Sequence, residues 1–204
     1  MAGHSRYSVS NRKAGIKNGI LENKLGISNQ KELEDAETIL LSDAYEFFFS
    51  KNKLILKDFD VKFLFSVNKY FLETLYAWAG KRREVDISKD GIMFASAKYL
   101  SSSVEYFGKI LKGNMPRMGD TKNSIASKIA IIHNEFNAIH PFRDGNGRTI
   151  RLLIDLIASV LGYEPIDWNS KSKREYMKAC VSGIRGNHKP MANFLLERLK
   201  KSIK

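Results

Sequence analysis

At 204 residues and 23.2 kDa the chain has the size of one ordinary domain with a single core, or of a core carrying an arm. With 43% hydrophobic and 27% charged residues it excludes wholesale disorder, and no apolar run approaches the roughly 18–20 residues of a membrane span or forms the h-region of a secretory leader. Lys and Arg outnumber Asp and Glu by 34 to 22, a formal charge of +12. That balance suits either a solvated Lys-rich surface or a polyanionic partner: nucleic acid, an acidic protein or a phosphate-bearing ligand. The single Cys180 cannot form an internal disulfide and fits a reducing cytoplasm.

The chain opens with an acid-free stretch over residues 1–19 (Arg6, Arg12, Lys13, Lys17) and closes with the acid-free Arg198–Lys204. Both are expected to be mobile ends, and neither interleaves aromatic and basic residues as a platform for stacked bases would. Between them the pattern is mostly helical. Helices are expected over Ala36–Phe49 and over Val61–Trp78, where Leu64, Val67, Phe71, Leu75 and Trp78 recur at three- and four-residue steps before Gly80. The period then switches to two in Arg83–Ile87, and Asp90-Gly91 marks a tight turn before Ile92-Met93-Phe94, which together read as a β-hairpin. Further helices are expected over Ala97–Leu111, Ser124–Ile139 and Thr149–Leu161, with another opened by the capping-box pair Ser172/Glu175 and a last one beginning near Pro190. The expected fold is all-α, a bundle of about eight helices with a small hairpin attached. Residues 1–53 are read as a helical arm, 54–196 as the core domain and 197–204 as a basic tail.

Chemistry concentrates between the two most apolar helices, in His140-Pro141-Phe142-Arg143-Asp144-Gly145-Asn146-Gly147-Arg148-Thr149-Ile150-Arg151. Gly145 and Gly147 permit a tight turn and close approach to backbone N–H groups, which with the first turn of the next helix suit a phosphate. Arg148 and Arg151, three apart, can project guanidinium forks towards further phosphate oxygens. Asp144 is a single carboxylate of the kind that holds Mg²⁺ together with substrate phosphates. His140 is a candidate general base. Phe142 reads as the apolar anchor of the loop.

The stretch resembles the signature His-x-Phe-x-Asp/Glu-Gly-Asn-Gly-Arg-x-x-Arg of Fic-domain proteins at every defined position. The similarity extends to Leu75–Gly80, to Arg83–Lys89 and Phe94-Ala95, which look like the family's pre-flap helix and flap, and to Asp167-Trp168 and Tyr176. The resemblance implies a complete Fic core over roughly Leu54–Leu196, and transfer of AMP from ATP to a hydroxyl of a target protein, with release of pyrophosphate. It further implies that His140 deprotonates the target Ser, Thr or Tyr and that Asp144 holds Mg²⁺. Asn146 and the Gly145–Gly147 amides would stabilise charge at the α-phosphate, and Arg148 and Arg151 would hold the outer phosphates. Tyr176 and Asp167-Trp168 would lie near the nucleoside. Ile87, Ser88, Lys89, Ile92, Met93 and Phe94 would form the flap that pins the target by main-chain pairing. Doc-type phosphotransferases show a Lys where this chain has Gly147, which favours adenylylation.

Blander readings accompany these. A lone His before Pro is ordinarily a helix-end residue, Phe47-Phe48-Phe49 and the methionines read as core, and Cys180 as a small buried hydrophobe. His133, seven residues before His140, has no third ligand nearby for zinc. Asp155 is placed to pair with Arg151 four residues earlier. Many Fic proteins carry an inhibitory Ser/Thr-x-x-x-Glu-Gly/Asn helix; here only Glu22-Asn23 offers the ending, and Asn18 stands where Ser or Thr is needed. The chain also ends soon after the core. Inhibition is therefore expected from a separate small antitoxin-like protein, with Glu22 in a degenerate internal version as the alternative. The location follows as the bacterial cytoplasm, or a host cell if the protein is an effector; nucleic acid is not required. Competing readings are another phosphoryl or nucleotidyl transfer on the same fold, or a basic binding module without activity.

Overall fold

The computed structural model describes residues 8–9, 15–17, 19–51, 54–168 and 173–202. Among them are seven α-helices: α1 (Gln30–Phe49), α2 (Val61–Leu72), α3 (Leu100–Gly113), α4 (Lys122–Ile139), α5 (Asn146–Val160), α6 (Lys173–Ile184) and α7 (Lys189–Arg198), with short 3-10 turns at Leu56–Asp58 and Ala97–Tyr99. Two small antiparallel sheets accompany them. One pairs β2 (Ile16–Lys17) with β3 (Ile20–Leu21), and the other has the order β1 (Ser8–Val9), β4 (Ile87–Lys89), β5 (Ile92–Met93). The helical bundle with an attached hairpin is as expected. Among the described residues no helix is long and apolar enough to cross a membrane.

The amphipathic stripes dictate the packing. α4 is central, touching α3, α5, α6 and α7, while α2 lies on α1 and α5. Ile125, Ile129, Ile132 and Phe136 of α4 are buried with Leu152, Leu153, Ile154 and Ile157 of α5 in one cluster that runs from Leu21 to Leu199. α1 belongs to this cluster through Leu33, Ala44 and Phe48.

Several boundaries move for local reasons. α2 stops at Leu72, short of Trp78, because Lys24 captures the carbonyls of Leu75 and Glu73 (both 2.7 Å) and Asn68 accepts from the Gly80 N–H (2.9 Å), folding the segment back. α4 starts at Lys122, capped by Thr121 on the Ser124 N–H. α5 starts three residues early, because Gly145 (φ 80) serves as its N-cap. The C-terminal end is held rather than loose as far as Ser202: Glu164 donates to the Lys200 carbonyl and Ser202 to that of Gly162. Most of the basic N-terminal stretch, Asn18, and the Ser172 half of the capping box lie outside the described residues.

Candidate active site

α4 ends on His140, whose backbone is left-handed (φ 45, ψ 67), an unusual conformation for a residue with a Cβ. The turn carries the chain through Pro141 and the fully buried Phe142, which packs edge-on against Phe65 at 4.7 Å. Asn146 fixes the loop: its Oδ1 accepts from the Phe142 N–H (2.8 Å) and its Nδ2 donates to the Phe142 carbonyl (2.9 Å). Both amide groups are thus engaged by backbone, so Asn146 shapes the loop. A Cβ on Gly145 would lie 2.8 Å from Leu72 Cδ1 and from Phe71 Cζ, so only glycine fits beneath α2. No side chain caps the α5 N-terminus that follows, and Gly147 in its first turn lines a cleft.

That cleft, of about 260 Å³, is bounded by His140, Gly147 and Arg151, by Tyr176 and Cys180 of α6, and by Lys89, Ile92 and Phe94 of the β4–β5 hairpin. The His140 Nδ1 lies against the Asn137 carbonyl, which can only accept. Nδ1 therefore carries the proton, and Nε2 is the basic nitrogen. Burial, aided by the charges of Arg83 and Lys89, pulls the imidazole down to about 3, so it is neutral at physiological pH. The Phe94 ring stacks on it with centroids 3.7 Å apart. Ile87 and Phe94 anchor the hairpin with Val85, Ile92 and Ile184, while Met93 points outward. Its turn has positive φ at both Asp90 (50) and Gly91 (76), as a two-residue hairpin requires. Ser88, next to Ile87, pairs in register with Ser8 of β1.

On the α5 side, Asp144 is buried and its Oδ1 accepts from Gly145 N–H and from Arg148 Nη2 (3.2 Å). Arg148 also donates through Nη1 to Glu37 Oε2 at 2.7 Å, and the other Glu37 oxygen accepts from the Tyr76 hydroxyl at 2.6 Å. Arg148 is thus tied between two carboxylates, Glu37 and Asp144. Arg151 donates to the Tyr176 hydroxyl (3.4 Å) and makes no ion pair among the described residues. Behind Tyr176 lies a chain of buried polar groups, with Asn137 Nδ2 3.2 Å from both His133 ring nitrogens. Asn134 Oδ1 accepts from His133 Nδ1 (3.1 Å), so His133 Nε2 accepts from Tyr176 O–H (3.0 Å), leaving the Tyr176 oxygen to accept from Arg151. Asp155 does not pair with Arg151; its oxygens accept from Tyr45, the Ile166 N–H and Trp168 Nε1. Trp168 packs edge-on to Tyr176, behind the cleft wall. Cys180 is buried, which pushes its thiol up to about 11. Glu22 is exposed beside the β2–β3 hairpin, its N–H on the Gly15 carbonyl.

One carboxylate is what the chain offers a metal here: among the described residues no three His, Cys, Asp or Glu side chains gather as a metal shell. Such a donor set fits Mg²⁺ completed by phosphate oxygens and water, and not a cation held by protein alone. Glu37 and Arg83 were missed as site residues by sequence reasoning. Glu37 sits on an ordinary helical face 111 positions from its partner. Arg83 carried a signal only as the first residue of the Arg83–Lys89 stretch that resembles the family's flap.

Residues 58–158 match the model of the Fic/DOC family. The chain is 32% identical over 182 residues to protein adenylyltransferase VbhT of Bartonella schoenbuchensis, covering 89% of this chain and 37% of that protein. It is 26% identical over 176 residues to probable protein adenylyltransferase y4lH of Sinorhizobium fredii, covering 85% and 88%. Among solved structures, the Bartonella tribocorum effector BepC with bound AMPPNP aligns with a TM-score of 0.74 at 21% identity, over 90% of this chain and 93% of that one.

Proposed function

The chain belongs to the Fic/DOC family, and from that premise we propose that it is a protein adenylyltransferase, moving AMP from ATP to a Ser, Thr or Tyr hydroxyl of a target protein. The observation that carries the reading is a neutral, buried His140 at the wall of a cleft shared with the α5 N-terminus and Arg151. In the reaction the target hydroxyl oxygen bonds to the α-phosphorus and the bond from that phosphorus to the bridging oxygen breaks. Pyrophosphate leaves with the electron pair, and the hydroxyl proton passes to His140 Nε2. The α5 N-terminal amides and Arg151 receive phosphate charge. Asn146 acts by holding the loop that presents those amides, and Tyr176 orients Arg151 beside the nucleotide. Asp144, ordered by Arg148, would hold Mg²⁺, which would supply neutralisation of phosphate charge.

Ile87–Phe94 forms the flap over His140, to which an extended target segment pairs by its backbone. One edge of β4 is taken by β1 of the same chain, so the target strand adds at the β5 end of the sheet or takes the place of β1. Inhibition in trans fits an Arg151 without a carboxylate partner among the described residues and a Glu22 that is exposed elsewhere. The target is bacterial, or a host protein if the enzyme is delivered.

Incubation with α-labelled ATP, Mg²⁺ and a cell lysate tests the assignment. Wild type is expected to label protein, and His140→Ala to lose about 10²-fold or more of that labelling with ATP binding kept. Label arriving from γ-labelled ATP instead would show phosphotransfer, and labelling indifferent to His140→Ala would remove the base.

A further inference from the structure

We propose that Arg83 is a positioning residue for this reaction: one buried guanidinium fixes the His140 turn and roots both ends of the flap to it. The inference deepens the transferase reading and rests on it. Because α4 ends on a residue with positive φ, the last carbonyls of the helix turn away from any continuing helical N–H. Arg83 supplies the donors. Its Nε donates to the His140 carbonyl (2.8 Å) and its Nη2 to that of Ile139 (3.2 Å), while its own backbone N–H donates to the Pro141 carbonyl (2.9 Å). The other side of the same fork reaches the flap. Nη1 donates to the Val85 carbonyl, two residues before β4, at 2.7 Å, and Nη2 also donates to that of Ala95, two residues after β5. Ala95 completes the joint by donating its N–H to the Ala138 carbonyl (3.2 Å).

The Arg83 side chain is wholly buried, and a cation at that place also complements the negative end of the α4 dipole. Phe94, next to Ala95, stacks on the imidazole. Base and flap thus share a single anchor, and displacing the flap root displaces His140. A planar fork of five donors can serve four carbonyls in different directions, which an ammonium cannot.

Arg83→Lys keeps the charge and removes the fork. In the full chain we expect ATP affinity within about twofold of wild type while kcat/KM for the protein target falls at least about tenfold. Amides from Ile87 to Ala95 should exchange at least about tenfold faster, and the His140 imidazole should titrate higher in NMR as water reaches it. Unchanged flap exchange and transfer would overturn the proposal, as would an equal loss of ATP affinity, which marks a general folding defect. Should Arg83→Lys fail to fold, exchange in wild type decides. The Arg83 and Ala95 amides should exchange with those of α4, and exchange as fast as at Asp90-Gly91 would overturn the clamp. Exchange and titration need no turnover, so if wild type modifies no protein the transferase reading fails while the clamp is still measured.

Discussion

At the scale of single residues, two imidazoles, one within α4 and one at its C-cap, depart far from their ordinary behaviour. His140 is pulled down to about 3 and His133 to about 4, both chiefly by burial, against an unfolded value near 6.5. Histidines with depressed folded values contribute stability above the unfolded value and lose it as pH falls towards the folded one, because the unfolded chain binds the extra protons first. Asp155, pushed up to about 6 by burial, works in the opposite sense between about 6 and 4. Two imidazoles against one carboxylate leave a net loss, so the urea midpoint should drop between pH 6.5 and 4.5. A midpoint that is flat or rising across that window would contradict the buried, neutral state of both rings. The same shift places the acid limb of kcat/KM for the free enzyme well below pH 6.5, away from where an exposed histidine would put it.

At the scale of elements, the cleft is made by how α6 crosses α4. α6 brings Tyr176 and Cys180 to the wall, and Gly183 lets it come close, since a Cβ there would run into the Asn134 side chain. Asn134 accepts from His133 and donates to His188 Nδ1 (3.2 Å), so its amide sets the direction of the bonds leading to Tyr176 and Arg151. Gly183→Ala should therefore destabilise by about 1–3 kcal/mol through overpacking, read as a lower denaturation midpoint. It should also weaken ATP binding as Tyr176 loses its fixed acceptor. A variant as stable as wild type with unaltered ATP affinity would show that α6 yields without disturbing the relay. The β4–β5 hairpin is the contrasting element. Period-two alternation and the Asp90-Gly91 pair made it legible in sequence, because a hairpin is a local structure. Its pairing with β1 joins residues some eighty positions apart in the chain, so no local pattern announces it.

At the scale of the whole molecule, α1 is tied to the signature loop. Glu37, buried on α1, bridges Tyr76 after α2 to Arg148 at the start of α5, and through it to Asp144. Removing one partner of a buried ion pair leaves the other charge uncompensated. Glu37→Ala should cost about 3–5 kcal/mol in urea unfolding, with Glu37→Gln milder because one hydrogen bond can persist. A loss below about 1 kcal/mol for the alanine variant would mean that Arg148 finds another acceptor and that α1 is dispensable to the loop. The sequence by itself determined the helical bundle and the hairpin, because hydrophobic period and turn residues act over a few positions. It also singled out the loop from His140 to Arg151, because there the functional groups are neighbours in the chain. Tertiary structure alone decided which groups those residues meet. Arg148 takes Glu37 on α1, Asn146 turns back onto Phe142, Asp155 takes Tyr45 and Trp168, and Arg83 takes the carbonyls at the end of α4. Each of these follows from desolvation: once packing removes water from a charged or polar group, it must bond to whatever donor or acceptor the fold brings beside it, and that neighbour carries no mark in the local sequence.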